Sequence, residues 1–249
     1  MSRTVALANQ KGGVGKTTTV INLGAALASL DRRVLLVDLD PQSNTTSGLG
    51  FAKENDGGTV YDALRGEPAA IKPTAFPNLF LLSSTRDLVG AEIELVDVPD
   101  REHRLAAALD AVKGDFDFLL IDCPPSLGLL TLNSLCAADA VLIPIQCEYF
   151  ALEGVTDLME TIDRVRSSFN GRLEIEGVLL TMYDDRTNLS RQIVDDIRSH
   201  FGPKVYRSVI PRSVRLAEAP SFGKPILAYD IKSKGSEAYL ALAAEVIGS

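Results

Sequence analysis

Apolar residues along the chain fall into blocks that alternate between two spacings. The runs TVALA (4–8), RVLLVDLDPQ (33–42), NLFLLSS (78–84), FDFLLIDCPP (116–125), AVLIPIQ (140–146) and EIEGVLLTMY (174–183) are near-continuous. Such runs suit parallel strands covered on both faces, which have no polar side to show. Between them, residues 17–30, 59–66, 127–138, 151–169, 189–201 and 236–248 place apolar positions three and four apart. These stretches predict helices. Residues 87–113 read as two further helices broken at Pro99, 43–58 as a polar loop with room for one helical turn, and 204–226 as short strands interrupted by prolines. The alternation predicts one α/β domain over residues 1–249, a doubly wound, mainly parallel sheet flanked by helices. Ligands of such sheets sit at the carboxyl ends of the strands, where Asp38, Asp40 and Asp122 stand.

The junction between the first strand and the first helix reads ANQKGGVGKTTT (8–19). Backbone N–H groups of Gly12, Gly13, Val14 and Gly15 can converge on phosphate oxygens, and the helix behind them adds the positive end of its dipole. Lys16 fills the place of the single lysine of a phosphate-binding loop, followed by Thr17, whose hydroxyl suits Mg²⁺. Asp122, ending an apolar strand, is placed as the carboxylate that acts on the metal through water. One residue breaks the common pattern. A glycine is expected at position 10, where Gln10 stands, followed at once by a second cation, Lys11.

Composition narrows the classes. The 249 residues are 46% hydrophobic and 23% charged, the balance of a folded globular chain. The opening MSRTVALANQ enters a strand within a few residues, so no secretion signal is expected, and the apolar runs are too short for a bilayer. Cys123, Cys136 and Cys147 have no C-x-x-C spacing and read as buried thiols of a cytoplasmic protein. His103 and His200 sit in charged helical stretches and read as solvated. A formal net charge of −8 repels nucleic acid overall, so any such contact needs a local patch. Between Lys204 and Lys234 seven bases stand against Glu218 and Asp230, a local excess of +5. Without a helix-turn-helix or zinc spacing, such a patch implies sequence-independent contact with phosphate backbones.

KGGVGKTT resembles the deviant Walker A motif of the P-loop ATPases that include the partitioning ParA proteins, MinD and the nitrogenase iron protein. VLLVDLDPQSNTTSGLG, IDCPPSLGLLTLNSL, IPIQCEYFALEG, TNLSRQ and IPRSVRLAEAPSFGKPI are similar specifically to the ParA/Soj branch, over nearly the whole chain. The resemblance implies an ATPase of slow basal rate, with ATP and Mg²⁺ as cofactors, that dimerises face to face around two nucleotides. It implies nucleotide contacts from Lys11, Gly12, Gly13, Val14, Gly15, Lys16, Thr17 and Thr18, with Lys11, Lys16 and Asp40 catalytic. In the family, Asp40 matches the carboxylate that positions the attacking water, and Asp38 one near the metal, beside Thr17 and Asp122. Met182, Pro211 and Ser213 match the adenine surroundings. Lys11 then has a purpose. Two Mg²⁺–ATP anions brought into one interface need further cations, and a lysine reaching across acts like an arginine finger given in trans.

The resemblance also implies nonspecific DNA as a partner, through residues matching Arg186 and Arg215, with Arg212 and Lys224 as further candidates. A ParB-type centromere-binding protein is expected to stimulate hydrolysis, and the protein is expected on the nucleoid and off the membrane. The C-terminal SEAYLALAAEVIGS has two acids and no base, unlike a MinD-type membrane helix. The alternatives are a MinD-like positioning ATPase or a nucleotide switch acting on protein partners without DNA. An iron–sulfur reductase and an ATP-dependent small-molecule ligase share the fold.

Overall fold

In the computed structural model, which describes residues 2–53, 57–148, 151 and 153–248, the apolar runs become strands. They are β1 (Arg3–Leu7), β2 (Val34–Asp38), β3 (Ile71–Pro73), β4 (Leu79–Leu82), β5 (Phe118–Asp122), β6 (Ala140–Gln146), β7 (Glu174–Tyr183) and β8 (Val205–Pro211). The helices are α1 (Lys16–Ser29), α2 (Asn44–Gly48), α3 (Val60–Leu64), α4 (Ala91–Glu94), α5 (Arg104–Asp110), α6 (Leu129–Ala137), α7 (Glu153–Ser168), α8 (Asn188–Phe201), α9 (Val214–Glu218), α10 (Ile226–Tyr229) and α11 (Lys234–Gly248). The strands make one sheet in the order β3-β4-β2-β5-β1-β6-β7-β8. Every pairing is parallel except β3 with β4.

Because successive strand residues point to opposite faces, each strand feeds two cores. Val5 and Leu7 of β1, with Val34 and Leu36 of β2, pack against α1 and α11. Ala6, Leu35, Val37, Leu119 and Ile121 face the layer made by α3 and α5 to α8. From β1 the chain moves outward to β4 on one side, returns to place β5 beside β1, and then builds β6 to β8 on the other. That reversal beside β1 opens a crevice at the carboxyl ends of the strands.

Several elements differ from the expectation. The run 33–42 is a strand only to Asp38, and a turn in which Ser43 N donates to Asp40 O at 2.8 Å takes Asp40 out of extended geometry. The predicted helices in 87–113 shrink to 3-10 turns at Arg86–Gly90 and Arg101–His103 plus the short α4 and α5. Gly90, the β-branched Val89, Ile93 and Val96, and Pro99 all weaken a helix there. Prolines do not break 204–211, because β8 is an edge strand and Pro211 is its last residue. β3 was not foreseen: three residues ending in a proline leave no periodicity to read. The first turn of the helix expected from 151 includes Leu152, outside the described residues.

Candidate nucleotide site

β1 delivers the loop to the carboxyl edge. There Gly13 (φ 77°) and Gly15 (φ 89°) take left-handed conformations that a β-carbon resists. Gly15 is the N-cap of α1 and brings no side chain to bond the first N–H groups of the helix, leaving them for an anion. The loop is pinned from β6 and β7. Asn9 Nδ2 donates to Pro144 O at 2.8 Å, and Thr181 Oγ1 donates to Val14 O at 2.8 Å.

Lys16 is buried at the first turn of α1, and its Nζ donates to Asn9 O at 2.9 Å and Lys11 O at 3.2 Å. Burial lowers its pKa, while the charges of Asp122 and Asp40 work the other way. The cation is thus held at the mouth of the loop by main-chain carbonyls and the acidic strand ends.

Asp38 and Asp122 are register partners across β2 and β5, and both are fully buried. Burial drives both carboxyl pKa values upward, and for Asp122 the neighbouring Asp38 charge adds to the rise. Asp38 is saturated by its own chain: Oδ1 accepts from Asp40 N at 3.3 Å, and Oδ2 from Thr46 N at 2.8 Å and Thr46 Oγ1 at 2.6 Å. It holds the turn that carries Asp40 and α2. Asp122 differs. Its Oδ2 accepts from Thr45 Oγ1 at 2.7 Å, but its buried Oδ1 has no hydrogen-bond partner, and the Thr17 hydroxyl beside it lowers the carboxyl against the effect of burial. A buried oxygen with no donor, next to a threonine hydroxyl, fits a hard cation such as Mg²⁺.

The raised pKa fixes the sign of a stability effect. The folded chain keeps protons on Asp38 and Asp122 that the unfolded chain has already lost, so stability falls as pH rises from the ordinary carboxylate range toward neutrality. Asp122→Asn is expected to match or exceed wild-type stability at neutral pH without added Mg²⁺, with a flatter dependence on pH. Urea unfolding across a pH series measures this, and an unchanged slope would contradict it.

Asp40 opens onto the cleft. It lines a cavity of about 400 Å³ with Gly12, Lys16, Thr17 and Thr18, and its Oδ1 accepts from Gln42 N at 2.9 Å. A smaller, more apolar cavity of about 230 Å³ shares Gly15, Thr18 and Met182 with the first and is walled by Ile210, Pro211 and Ser213. Met182 is itself left-handed (φ 52°), a conformation that costs a non-glycine residue energy and recurs at functional sites. Ser213 Oγ accepts from Leu216 N at 3.4 Å and so caps α9. The structure therefore brings the expected phosphate and base residues into one continuous cleft. It also adds Gln42, Asn44, Pro125, Thr181 and Tyr239 to the walls. Thr181 ends the apolar run of β7, a strand-end position that could have drawn notice; Tyr239, deep in a C-terminal helix, gave no signal.

Lys11 is not among the residues lining its own cleft. Its ammonium pairs with Glu148, both side chains being about a third exposed (35% and 36%). A pair this open contributes no more than about 1 kcal/mol, so a nearer multivalent anion can displace it.

The candidate DNA residues divide. Arg186 is 80% exposed and grips Asp184 with two nitrogens at 2.8 and 2.7 Å, which holds the Asp184 carboxyl down at about 2. Arg212 lies beside it, since its N donates to Tyr183 O at 2.9 Å. Arg215 pairs with Glu218 at 3.1 Å and Asp230 at 3.6 Å, and Lys224 is exposed. The seven bases of 204–234 do not share one face. Lys204 stands at the start of β8 with its Nζ on Ile175 O, a strand length of about 20 Å from the cleft edge where Arg212 lies. Arg212 lines the base cavity, and Arg215 adjoins Leu216 and Ala217, which line it too.

The three thiols are buried, and burial pushes Cys123 up to about 12 and Cys147 up to about 11. No helix among the described residues is long and apolar enough to cross a membrane. The apolar side of α11 is already used, with Tyr239, Leu242 and Val246 buried against α1 and β8.

Residues 2–175 match the family described as AAA domain. The chain is 58% identical to the chromosome partitioning protein ParA of Caulobacter vibrioides, over 98% of this chain and 94% of that one. It is 55% identical to the sporulation initiation inhibitor protein Soj of Bacillus subtilis, over 99% and 98%. A crystal structure of cobyrinic acid a,c-diamide synthase from Mycobacterium smegmatis with bound ADP and magnesium superposes with a TM-score of 0.88 at 42% identity, covering 99% of this chain and 94% of that chain. With its glycine-capped loop, paired strand-end carboxylates and full-length similarity to partitioning proteins, the chain belongs to the ParA/Soj family of P-loop ATPases.

Proposed function

We propose that the protein is a DNA-partitioning ATPase in which Mg²⁺–ATP assembles a face-to-face dimer that holds nonspecific DNA, and hydrolysis releases it. One observation carries this reading. The cleft is complete for phosphate and base within one chain, while Lys11 stands outside it, paired weakly on the surface and available to a second chain.

Lys16 and the N–H groups of Gly12 to Gly15 hold the β- and γ-phosphates, and Met182, Pro211 and Ser213 surround the adenine. Thr17 and Asp122 would hold Mg²⁺, which would supply positive charge against the phosphates. Asp40, fixed by Gln42 N and by the turn that Asp38 organises, orients the attacking water. Asp38 thus acts through the loop. Lys11 crosses the dimer interface and stabilises charge on the partner chain's transferring phosphoryl group.

Arg186, Arg212, Arg215 and Lys224 form the DNA face. Pro211 lies at the base cavity and Arg212 is its neighbour, so one segment carries both sites. A single small patch on an acidic chain binds weakly, whereas two patches in a dimer act at high effective concentration. A ParB-type partner accelerates hydrolysis and so sets the lifetime of the DNA-bound state on the nucleoid. Arg215→Glu is expected to abolish retention on nonspecific duplex while sparing ATP-dependent dimerisation in analytical ultracentrifugation; loss of both would refute the separation.

The solved relative named for cobyrinic acid amidation supplies a second reading, an ATP-dependent ligase. Partitioning proteins share more of the sequence over the same length. Turnover that depends on a small acid substrate and ignores DNA would reverse the choice.

A further inference from the structure

Residues 86–98 carry two apolar stripes. The 3-10 turn Arg86–Gly90 runs directly into α4, and Leu88, Ala91 and Leu95, spaced three and four apart, are buried in the core. Val89, Ile93 and Val96 repeat that spacing on the outward side and are 56%, 74% and 49% exposed. The outward face of a surface helix ordinarily carries polar side chains, because an apolar one there gains nothing from folding. A row of three marks a face built to be covered. Around it stand Asp87, Glu92, Glu94, Asp97 and Asp100, against Arg86, Arg101, which donates to Val96 O, and Arg65, which pairs with Glu94 at 3.9 Å, so the rim keeps a net negative charge.

This face is tied to the nucleotide edge at both ends. Ser84, just before the turn, donates its N to Thr46 Oγ1 at 3.0 Å and its Oγ to Asp40 O at 3.0 Å, and Thr46 in turn holds Asp38. At the other end the carboxylate tip of Glu92 lies over Gly128, the N-cap of α6, where a β-carbon would push it aside. Gly128 lies in the loop that follows Asp122. The 86–98 segment is thus in contact with both the Asp40 turn, through Ser84, and the Asp122 loop, through Glu92.

We infer that Val89, Ile93 and Val96, with their acidic rim, form the docking face for a cationic amphipathic segment of a partner protein whose binding sets the rate of hydrolysis. The inference rests on the partner-stimulated reading above and supplies the surface for it. The rim excludes DNA by charge. It also opposes a symmetric contact with a second copy, which would set one net-negative rim against another. An apolar stripe bordered by lysines or arginines satisfies both components.

The test uses the full chain and the purified ParB-type protein of the same genome. Two variants probe the two components, Val89→Ser with Ile93→Ser, and Asp87→Lys with Asp97→Lys. All four side chains lie on the surface, so ATP-dependent DNA retention and unstimulated hydrolysis should stay at wild-type levels and show that the fold is intact. Each variant is expected to weaken partner binding and the stimulated rate by about tenfold or more, and added salt should weaken the wild-type interaction. Wild-type stimulation of either variant would overturn the inference while leaving the partition reading in place. Loss of self-association in the serine variant, seen by sedimentation without partner, would identify a second copy as the occupant and also overturn it. A wild-type chain that the partner neither binds nor stimulates would remove this face together with the partner's role, with the DNA switch judged separately by retention.

Discussion

Lys11→Ala should lower hydrolysis by about 10³-fold, the scale on which a cation supplied in trans acts in phosphoryl transfer. ATP affinity of the monomer should change by no more than about twofold, because Lys11 lies outside the cleft of its own chain and loses only a surface pair with Glu148. Asp40→Ala should be similarly inactive for a different reason, since Asp40 lines the cleft of its own chain. The two inactive proteins test the geometry when mixed. Each mixed dimer has one site with an intact Asp40 facing an intact Lys11. If exchange is free, half the dimers are mixed and half their sites work, so about a quarter of wild-type activity returns. Should Lys11 act on its own nucleotide, mixing restores nothing.

Lys16→Gln is expected to weaken ATP binding by about 100-fold, measured by calorimetry. Charge-assisted hydrogen bonds from a buried ammonium to phosphate oxygens are worth about 3 kcal/mol together, which is that factor. The loss should come without unfolding. Burial already penalises the Lys16 charge, so the neutral amide relieves a cost in the nucleotide-free chain, and urea midpoints should match the wild type or exceed it. Binding within about threefold of wild type would show that the glycine loop and α1 hold the nucleotide without the lysine.

Much of this arrangement could be read from residues alone because its parts are local. The loop, Lys16 and Thr17 lie in one short stretch between a strand and a helix, and burial of Val34 to Asp38 follows from an unbroken apolar run. What the sequence hid was whatever depended on turns and distance. The run 33–42 reads as one strand, but the turn at Asp40 separates Asp38 from Asp40: one is sealed by Thr46 and the other opens to the cleft. The basic run 204–234 looked continuous, yet a strand lies between Lys204 and Arg212 and carries them to opposite ends of β8. The helices expected in 87–113 concealed the doubled apolar stripe, since a helical period cannot tell an inward row from an outward one. Thr181 and Tyr239 reach the base cavity only because the end of β7 meets the loop at Val14 and α11 packs beside α1.

The coupling of hydrolysis to DNA release is tested most directly by retention of wild type and Asp40→Ala on a nonspecific duplex, at one stated salt concentration, with ATP, ADP or no nucleotide. Retention with ATP alone, and a longer-lived complex for Asp40→Ala, is the predicted result. Equal retention in all three nucleotide states, or none for either protein, would contradict it and leave a nucleotide switch that acts on protein partners.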